Sequence, residues 1–202
     1  MTLAAVLPAV ALPARWYMTN SYRVFTDKHF AYFVTWTIVD WLPLFAEPAY
    51  RQMILNALDY LREKKHTQLN AFVVMPTHIH AVLWPDDGIN LSNVTRDIKR
   101  FTSREISRQA KRYGSDQVIE AFERARWANR AQTTSQYQVW QEGSHAEAIF
   151  TEKFARQKID YIHMNPVKAG LVQTAVEWPY SSARAYLLEE ETYPPTDLLV
   201  VG

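Results

Sequence analysis

Residues 69–84, LNAFVVMPTHIHAVLW, predict the centre of the sheet and also raise the first functional question. Two runs of apolar and β-branched residues flank the dipeptide Pro76-Thr77, and so short a break predicts two antiparallel strands joined as a hairpin. Because side chains alternate along a strand, His78 and His80 project from the same face of the second one. Two imidazoles side by side are either tolerated within the core, each bonded to backbone, or they hold something that needs both.

Composition limits what kind of protein this is. The chain has 202 residues, 48% of them hydrophobic and 21% charged, with a net charge of +1, which is typical of one globular domain with some decoration. It has no cysteine, which excludes disulfides and thiolate metal sites. That absence fits a reducing compartment, so we expect the protein in the cytoplasm.

The two ends of the chain differ from its middle. Residues 1–20 are apolar, but no Lys or Arg precedes the apolar run and two prolines interrupt it, so we interpret them as an extension rather than an export signal. Residues 187–202 hold four acids and no base, which predicts an acidic tail. Between them we predict a single domain, 21–186, in which the polar residues 115–138 form an insertion.

The hydrophobic periodicity predicts seven helices and strands. They are a strand at 30–39, a helix at 47–65, the two hairpin strands, a helix from Ser92 to Tyr113-Gly114, a strand at 137–141, and a helix at 151–164 that ends near Pro166. This order predicts an α+β fold, with a ferredoxin-like antiparallel sheet and helices packed on one face.

The last predicted helix carries a second candidate group. Tyr161 and Asn165 are four residues apart, so both project from one side of the helix. A tyrosine hydroxyl can attack a phosphorus or carbonyl centre and hold a covalent intermediate, and an asparagine carbonyl oxygen is a hard ligand suited to Mg²⁺ or Mn²⁺. The alternatives stay open: Tyr161 could be a core residue, and Asn165 could cap a helical turn that starts at Pro166. His163 points largely the opposite way, and we interpret it as structural.

The second predicted helix carries a row of positive charge. It is expected to direct Val94, Ile98 and Phe101 inward. Five arginines recur every four residues along it, with Lys99 and Lys111 beside them, and on a helix this spacing makes a single ridge. The basic ridge consists of Arg96, Lys99, Arg100, Arg104, Arg108 and Arg112. A solvated helix face normally mixes both signs, so we predict contact with nucleic-acid phosphates, against the alternative of an ordinary solvated face.

Four separate stretches together resemble one family. These stretches are MPTHIHAVLW (75–84), KRFTSR (99–104), DYIHMNPVKAGLV (160–172) and WPYSSARAY (178–186). In this order they resemble motifs of the REP-associated tyrosine transposases. These transposases are IS200-like, single-tyrosine members of the HUH nucleases, which are named for a His-hydrophobic-His motif. The resemblance covers residues 20–186 and implies the ferredoxin-like fold of an HUH nuclease.

The resemblance also implies a role for each candidate residue. His78 and His80 would bind a divalent metal, Mg²⁺ or Mn²⁺, with Asn165 completing the site, and Tyr161 would be the nucleophile. The implied partner is single-stranded DNA near a short imperfect palindrome that folds as a hairpin, so we expect the protein at the nucleoid. The implied reaction cuts and rejoins such repeats through a 5′-phosphotyrosine. The family usually has Asn where this chain has Thr77, a change that keeps a small polar turn residue.

Two other functions stay open. A domesticated, non-catalytic nucleic-acid binder of the same fold would keep the basic ridge without the chemistry, whereas a metal hydrolase without a covalent step would need further His or Asp ligands near the pair. No membrane partner is expected. The oligomeric state is open as well, because a monomer needs Tyr161 to meet its own histidines, while a homodimer could exchange the last helix between subunits. We favour the monomer.

Overall fold

The computed structural model describes residues 30–113, 116–128, 136–142 and 145–199; the predicted extension at 1–20 lies outside these ranges. Its strands and helices are β1 (Ala31–Thr37), α1 (Pro48–Lys64), β2 (Thr67–Val74), β3 (His78–Pro85), α2 (Leu91–Arg112), α3 (Asp116–Ala128), β4 (His145–Ile149), α4 (Glu152–Lys168) and α5 (Ala183–Leu187). Short 3₁₀ turns lie at Val39–Trp41, Leu44–Ala46 and Ala175–Glu177. None of the helices in the described ranges has the length and apolarity to cross a membrane.

The four strands form one sheet in the order β2-β3-β1-β4, and every neighbouring pair is antiparallel. The hairpin predicted from residues 69–84 is confirmed, since β2 pairs directly with β3 and the amide of Met75 donates to the carbonyl of His78 (2.9 Å). On its other side β3 lies beside β1, with Thr35 opposite His80. The predicted α+β fold with an antiparallel sheet is therefore confirmed.

Helices cover both faces of this sheet. On one face Trp36, Ile79 and Leu83 pack with α1, α2 and α3 in the larger core. On the other face Phe33 and Val82 pack with α4 in a smaller core. The prediction that the helices pack on one face is wrong, because β1 and the hairpin are apolar on both sides and each side has to be removed from water.

The edge strand β4 does not lie where the sequence predicted it. Residues 137–141 form only an isolated bridge, between Ile38 and Trp140, and the strand that pairs with β1 is His145–Ile149. The consecutive side chains of Val139 and Trp140 are both buried, so their apolar character reflects packing against the larger core rather than a strand. The β4 sequence, HAEAI, has little of the β-branched and aromatic character by which strands are recognised.

Two helix ends differ from the prediction. The N-cap of α2 is Asn90, whose side chain accepts hydrogen bonds from the amides of Ser92 and Asn93, so the helix starts before the predicted cap at Ser92. Helix α4 continues through Pro166 to Lys168 instead of ending near the proline. Proline there removes one hydrogen bond of the helix, and packing of the preceding turns on the sheet keeps the helix continuous.

The buried stripe of α2 recurs every four residues and contains a threonine. Phe101 was predicted to face inward but is 53% exposed, and Thr102 faces the core instead. The Thr102 hydroxyl donates to the carbonyl of Ile98 (2.7 Å) and accepts from the indole of Trp140 (3.0 Å), which makes its burial tolerable. The stripe consists of Val94, Ile98, Thr102, Ile106 and Ala110. A satisfied polar residue in this stripe is why the apolar pattern misplaced Phe101.

The predicted insertion at 115–138 contributes to the fold. Its described part includes α3, which packs against α2 and buries Phe122 in the larger core. The side chain of Arg124, also on α3, donates a hydrogen bond to the carboxylate of Asp40 (2.8 Å), which lies three residues after the end of β1. Helix α3 therefore supports the turn that follows the central strand.

The outer edge of β2 is covered by the C-terminal part of the chain. The carboxylate of Asp197, in the predicted acidic tail, accepts from Arg62 Nε (3.0 Å) and from the amide of Leu69 (3.1 Å). Further along the same edge, the amide of Val74 donates to the carbonyl of Tyr180 (2.8 Å). Backbone groups that an edge strand would leave unpaired are thus satisfied within the chain.

Candidate metal and nucleophile site

The two imidazoles lie side by side at one end of β3, on the face that α4 covers. Their ring centroids are 4.7 Å apart. The register of the sheet puts Thr35 across from His80, and the Thr35 hydroxyl is 2.8 Å from Nδ1 of that ring. The hydroxyl of Thr77 is likewise 2.8 Å from Nδ1 of His78. When Nδ1 of each ring carries the proton and donates to its threonine, the lone pair of each Nε2 is left for a ligand.

Helix α4 brings Tyr161 to this pair. Ile159 and Ile162 bury one side of the helix in the smaller core, and the phenol projects beside the imidazoles. The Tyr161 hydroxyl is 3.5 Å from Nε2 of His80, the ring centroids are 5.1 Å apart, and the tyrosine is 39% exposed. All of these atoms belong to one chain. The alternative in which Tyr161 is an ordinary core residue does not fit this position.

Asn165 lies one turn further along α4, on the same side as Tyr161. Its side chain is hydrogen-bonded to His78. It sits inside the continuous helix Glu152–Lys168, so it does not cap a new turn at Pro166. The structure thus brings together all four residues that the sequence proposed for the site.

Both imidazoles are held in the neutral form. Burial is the main cause, and together with the charges of His78 and Lys158 it lowers the pKa of His80 to about 3. Burial also lowers the pKa of His78, and a hydrogen bond with Asn165, which favours the charged ring, partly offsets this effect. Neutral imidazole is the form that binds metal ions, so the lowered pKa values leave both rings able to act as ligands at neutral pH.

His163 has no part in this site. It is buried on another side of α4, and its Nε2 is 2.9 Å from the hydroxyl of Ser182. Burial lowers the pKa of His163 to about 3. Its place under the C-terminal segment agrees with the structural interpretation made from the sequence.

The donor set fits a hard divalent cation. In the described ranges no three His, Cys, Asp or Glu residues cluster closely enough to hold a metal, so a closed structural zinc site is not formed there. Two neutral imidazoles and one amide oxygen leave several coordination positions for water or phosphate oxygens. Such a set suits an ion whose remaining coordination positions are filled by a substrate.

Sequence reasoning missed several neighbours of the site. The ring of Phe33 stacks on His80 (centroids 5.3 Å apart), and Nζ of Lys158 lies 4.3 Å from the centroid of the same phenyl ring. Trp41 contacts the His78 ring (5.7 Å, at 77°). Thr35 and Phe33 face the site because β1 pairs with β3 in this register, and the register was the only signal that could have identified them.

The basic ridge is not part of the site. Its five arginines follow the members of the buried stripe by two residues, about 200° around the helix, so they point away from the core. All five are exposed, and Arg100 and Arg104 have no ion-pair partner among the described residues. Lys99 is half-buried, and burial lowers its pKa to about 8. Helix α2 lies on the opposite side of the sheet from the imidazoles.

Comparison with known proteins agrees with this architecture. The model of the family "Transposase IS200 like" matches residues 28–163, which run from just before β1 to just past Tyr161. The REP-associated tyrosine transposase of Escherichia coli is 26% identical over 133 residues. This match covers 65% of the present chain and 63% of the length of that relative.

A solved structure has the same fold. It is that of a REP-associated tyrosine transposase bound to a REP hairpin. The two structures match with a TM-score of 0.57 at 24% sequence identity, and the match covers 83% of this chain and 88% of the other. The resemblance noted in the sequence motifs is therefore confirmed over most of the domain. By its sequence and its fold, this chain belongs to the IS200-like transposase family.

Proposed function

We propose that the protein is a metal-dependent single-stranded DNA endonuclease and strand transferase that acts on palindromic repeat hairpins through a 5′-phosphotyrosine. One observation carries the proposal: the hydroxyl of Tyr161 lies 3.5 Å from Nε2 of His80 within a single chain. Family membership supports the transposase class, and the hairpin in the matched structure supports the kind of substrate.

In this proposal His78, His80 and Asn165 hold Mg²⁺ or Mn²⁺. The bound ion would stabilise the charge that develops on a non-bridging phosphate oxygen. Thr35 and Thr77 would orient each ring through Nδ1, which leaves both Nε2 atoms for the ion. The chain itself thus supplies an oriented, neutral pair of ligands.

Tyr161 supplies the covalent step. Its oxygen forms a bond to the phosphorus of the scissile phosphate, the bond from phosphorus to the 3′ oxygen breaks with its electron pair on that oxygen, and the oxygen is protonated to a free 3′-OH. The phenol is 39% exposed, so its proton can pass to solvent. The phosphotyrosine keeps the energy of the phosphodiester, and a second 3′-OH can reseal the strand without ATP.

His80 and Tyr161 lie together within one copy of the chain, which supports a monomer. Exchange of α4 between two subunits is not needed. This helix packs on the sheet of its own chain through Ile159 and Ile162 and already brings Tyr161 to His80.

The basic ridge is assigned a separate role. Because α2 lies across the sheet from the imidazoles, its arginines cannot hold the scissile phosphate. We propose that they contact backbone phosphates of the folded part of the substrate, where charge matters and base sequence does not.

A covalent-adduct assay tests the proposal. The protein is incubated with a single-stranded palindromic oligonucleotide and Mg²⁺ or Mn²⁺, and the products are separated on a denaturing gel. We expect a covalent adduct that Tyr161→Phe abolishes, while Tyr60→Phe, on an exposed tyrosine of α1, leaves it intact. Binding without any adduct would support the non-catalytic binder, and cleavage that survives Tyr161→Phe would support a hydrolase without a covalent step.

A further inference from the structure

The turn that follows β1 has an unusual backbone next to the candidate site. Asp40 and Trp41, two consecutive residues that are not glycine, have φ angles of +54° and +53°. A side chain at Cβ disfavours this left-handed region, above all for a bulky residue. Residues are kept in such conformations when the surrounding structure requires them, and they are found preferentially at ligand sites.

Contacts on both sides hold the turn in place. The amide of Val39 donates to the carbonyl of Val139 (2.9 Å), and the amide of Trp41 donates to the carbonyl of Ile38 (3.1 Å). The carboxylate of Asp40 accepts a hydrogen bond from Arg124 on α3 (2.8 Å). Two of these contacts, to Val139 and to Arg124, come from outside the turn and tie it to the rest of the larger core's side of the sheet.

The effect of this geometry is to expose a large aromatic ring at the site. Trp41 is 58% exposed, although its ring lies against the ring of His78 (centroids 5.7 Å apart). By contrast, Trp36 and Trp140 are almost fully buried in the larger core. The strained turn thus directs an open indole toward the space beside a metal-ligand candidate.

We propose that Trp41 is a stacking platform for an unpaired DNA base next to the scissile phosphate. This inference rests on the proposed function, which puts a single strand at His78 and Tyr161. Unpaired bases stack on aromatic side chains whatever their sequence, and such a contact holds the strand by its base while the chemistry acts on its phosphate. Asp40 and Arg124 are positioning residues in this scheme, because they keep the indole in place without touching DNA.

The test uses the Tyr161→Phe background, which cannot cleave, so that binding is measured independently of the reaction. The probe is a fluorescein-labelled single-stranded oligonucleotide with the palindromic repeat and its flanks, together with a set in which one nucleotide at a time is abasic. Trp41→Gly should weaken binding of the intact probe roughly 5- to 150-fold, the range that corresponds to loss of one stacked base. Trp41→Phe should retain most of the affinity.

The abasic set identifies the stacked position. With Trp41 present, one abasic position flanking the cleavage site should weaken binding by a similar factor, and with Trp41→Gly the same position should have no further effect. Tyr113→Ala, which removes an exposed aromatic ring at the end of α2, should behave like the parent. A profile that Trp41→Gly leaves unchanged would overturn the inference.

Stability separates a binding role from a structural one. Because glycine adopts positive φ without strain, Trp41→Gly should unfold at a urea concentration no lower than that of the parent. A markedly lower midpoint with unchanged affinity of the folded protein would make Trp41 a structural residue. If the unmodified chain forms no covalent adduct but the abasic profile is as expected, the proposed chemistry fails while the stacking site stands.

Discussion

The two faces of the sheet use the same strand for different purposes. On the α1–α3 face β3 contributes Ile79, Ala81 and Leu83 to a closed apolar core. On the α4 face it contributes Val82 to a smaller core, which gives way at one end of the strand to His78 and His80. Strict alternation thus lets neighbouring residues serve stability and chemistry separately, and substitutions on the two faces should have separable effects.

The largest effects are expected from substituting His78 or Ile79, which are adjacent on β3 but face opposite sides of the sheet. Ile79→Ala should lower the free energy of unfolding by about 2–5 kcal/mol, because it leaves a cavity in the larger core. Below its unfolding transition it should still form the DNA adduct. His78→Ala, which truncates a half-buried side chain, should change the free energy of unfolding by less than about 1 kcal/mol but reduce adduct formation about 100-fold or more.

Urea unfolding and the adduct assay together check this pair. The contrast between the two faces would be broken if His78→Ala destabilised the protein as much as Ile79→Ala, or if it left the rate of adduct formation unchanged.

A second prediction compares two threonines of β1, Thr35 and Thr37, which lie on the same face of the strand. Thr35→Val removes the hydroxyl beside Nδ1 of His80 and leaves the shape of the side chain nearly unchanged. We expect roughly a 10- to 100-fold loss of Mn²⁺ affinity, measured by calorimetric titration, because the ring loses the partner that orients it. Thr37→Val is the matched control, since that residue lies on the same face of β1 and has no hydrogen bond to either imidazole. Equal losses in the two variants would argue against an orienting role for Thr35.

The α4 face should also be the more sensitive to acid. His163 is buried with a pKa lowered to about 3, so in the folded protein it stays neutral where the unfolded chain, with an ordinary histidine pKa of about 6.5, binds a proton. The unfolded state therefore gains protons first, and stability falls as pH drops below about 6.5. By pH 5 the loss from this residue should reach about 2 kcal/mol.

Urea unfolding of the parent and of His163→Asn at pH 7.5 and pH 5 isolates this effect, because His78 and His80 are present in both proteins. The variant should lose less stability on acidification than the parent. Identical losses would mean that His163 is not the source of the acid sensitivity.

The smallest effect is expected on the outer surface of the α1–α3 face. Replacing Arg100 and Arg104 by alanine should weaken hairpin binding several-fold at moderate salt and reduce the slope of log K against log salt by about 1.8 for a duplex stem. Fluorescence anisotropy over a salt series measures the slope. Lys64→Ala on α1 is a control for general loss of charge. An unchanged slope would return the ridge to an ordinary solvated face.

Periodicity was a sufficient guide where one pattern governs a whole segment. The hairpin, the two faces of β3 and the approximate extent of α1 and α2 followed from it. It failed at β4, where the apolar residues Val139 and Trp140 serve the core while the strand itself is nearly featureless. It also failed at Phe101, because a threonine with satisfied hydrogen bonds occupies the buried position.

The site was predictable only in part. Spacing puts His78 beside His80, and Tyr161 on the same side of α4 as Asn165, but no spacing states that α4 crosses the sheet at the histidines. Only the resemblance to a family predicted that Tyr161 and Asn165 lie beside the two histidines. Thr35 depends on the strand register, and the exposed indole of Trp41 depends on a left-handed backbone at two residues that carry no sequence signal for it.

The covered edge of β2 has a practical consequence for work with this protein. Free strand edges recruit other chains and seed aggregates. A version of the chain shortened before Asp197 would uncover the backbone near Leu69 and release Arg62 from its partner. Shortened samples would then be prone to precipitation, and losses of activity measured on them would report poor solution behaviour rather than a missing functional group.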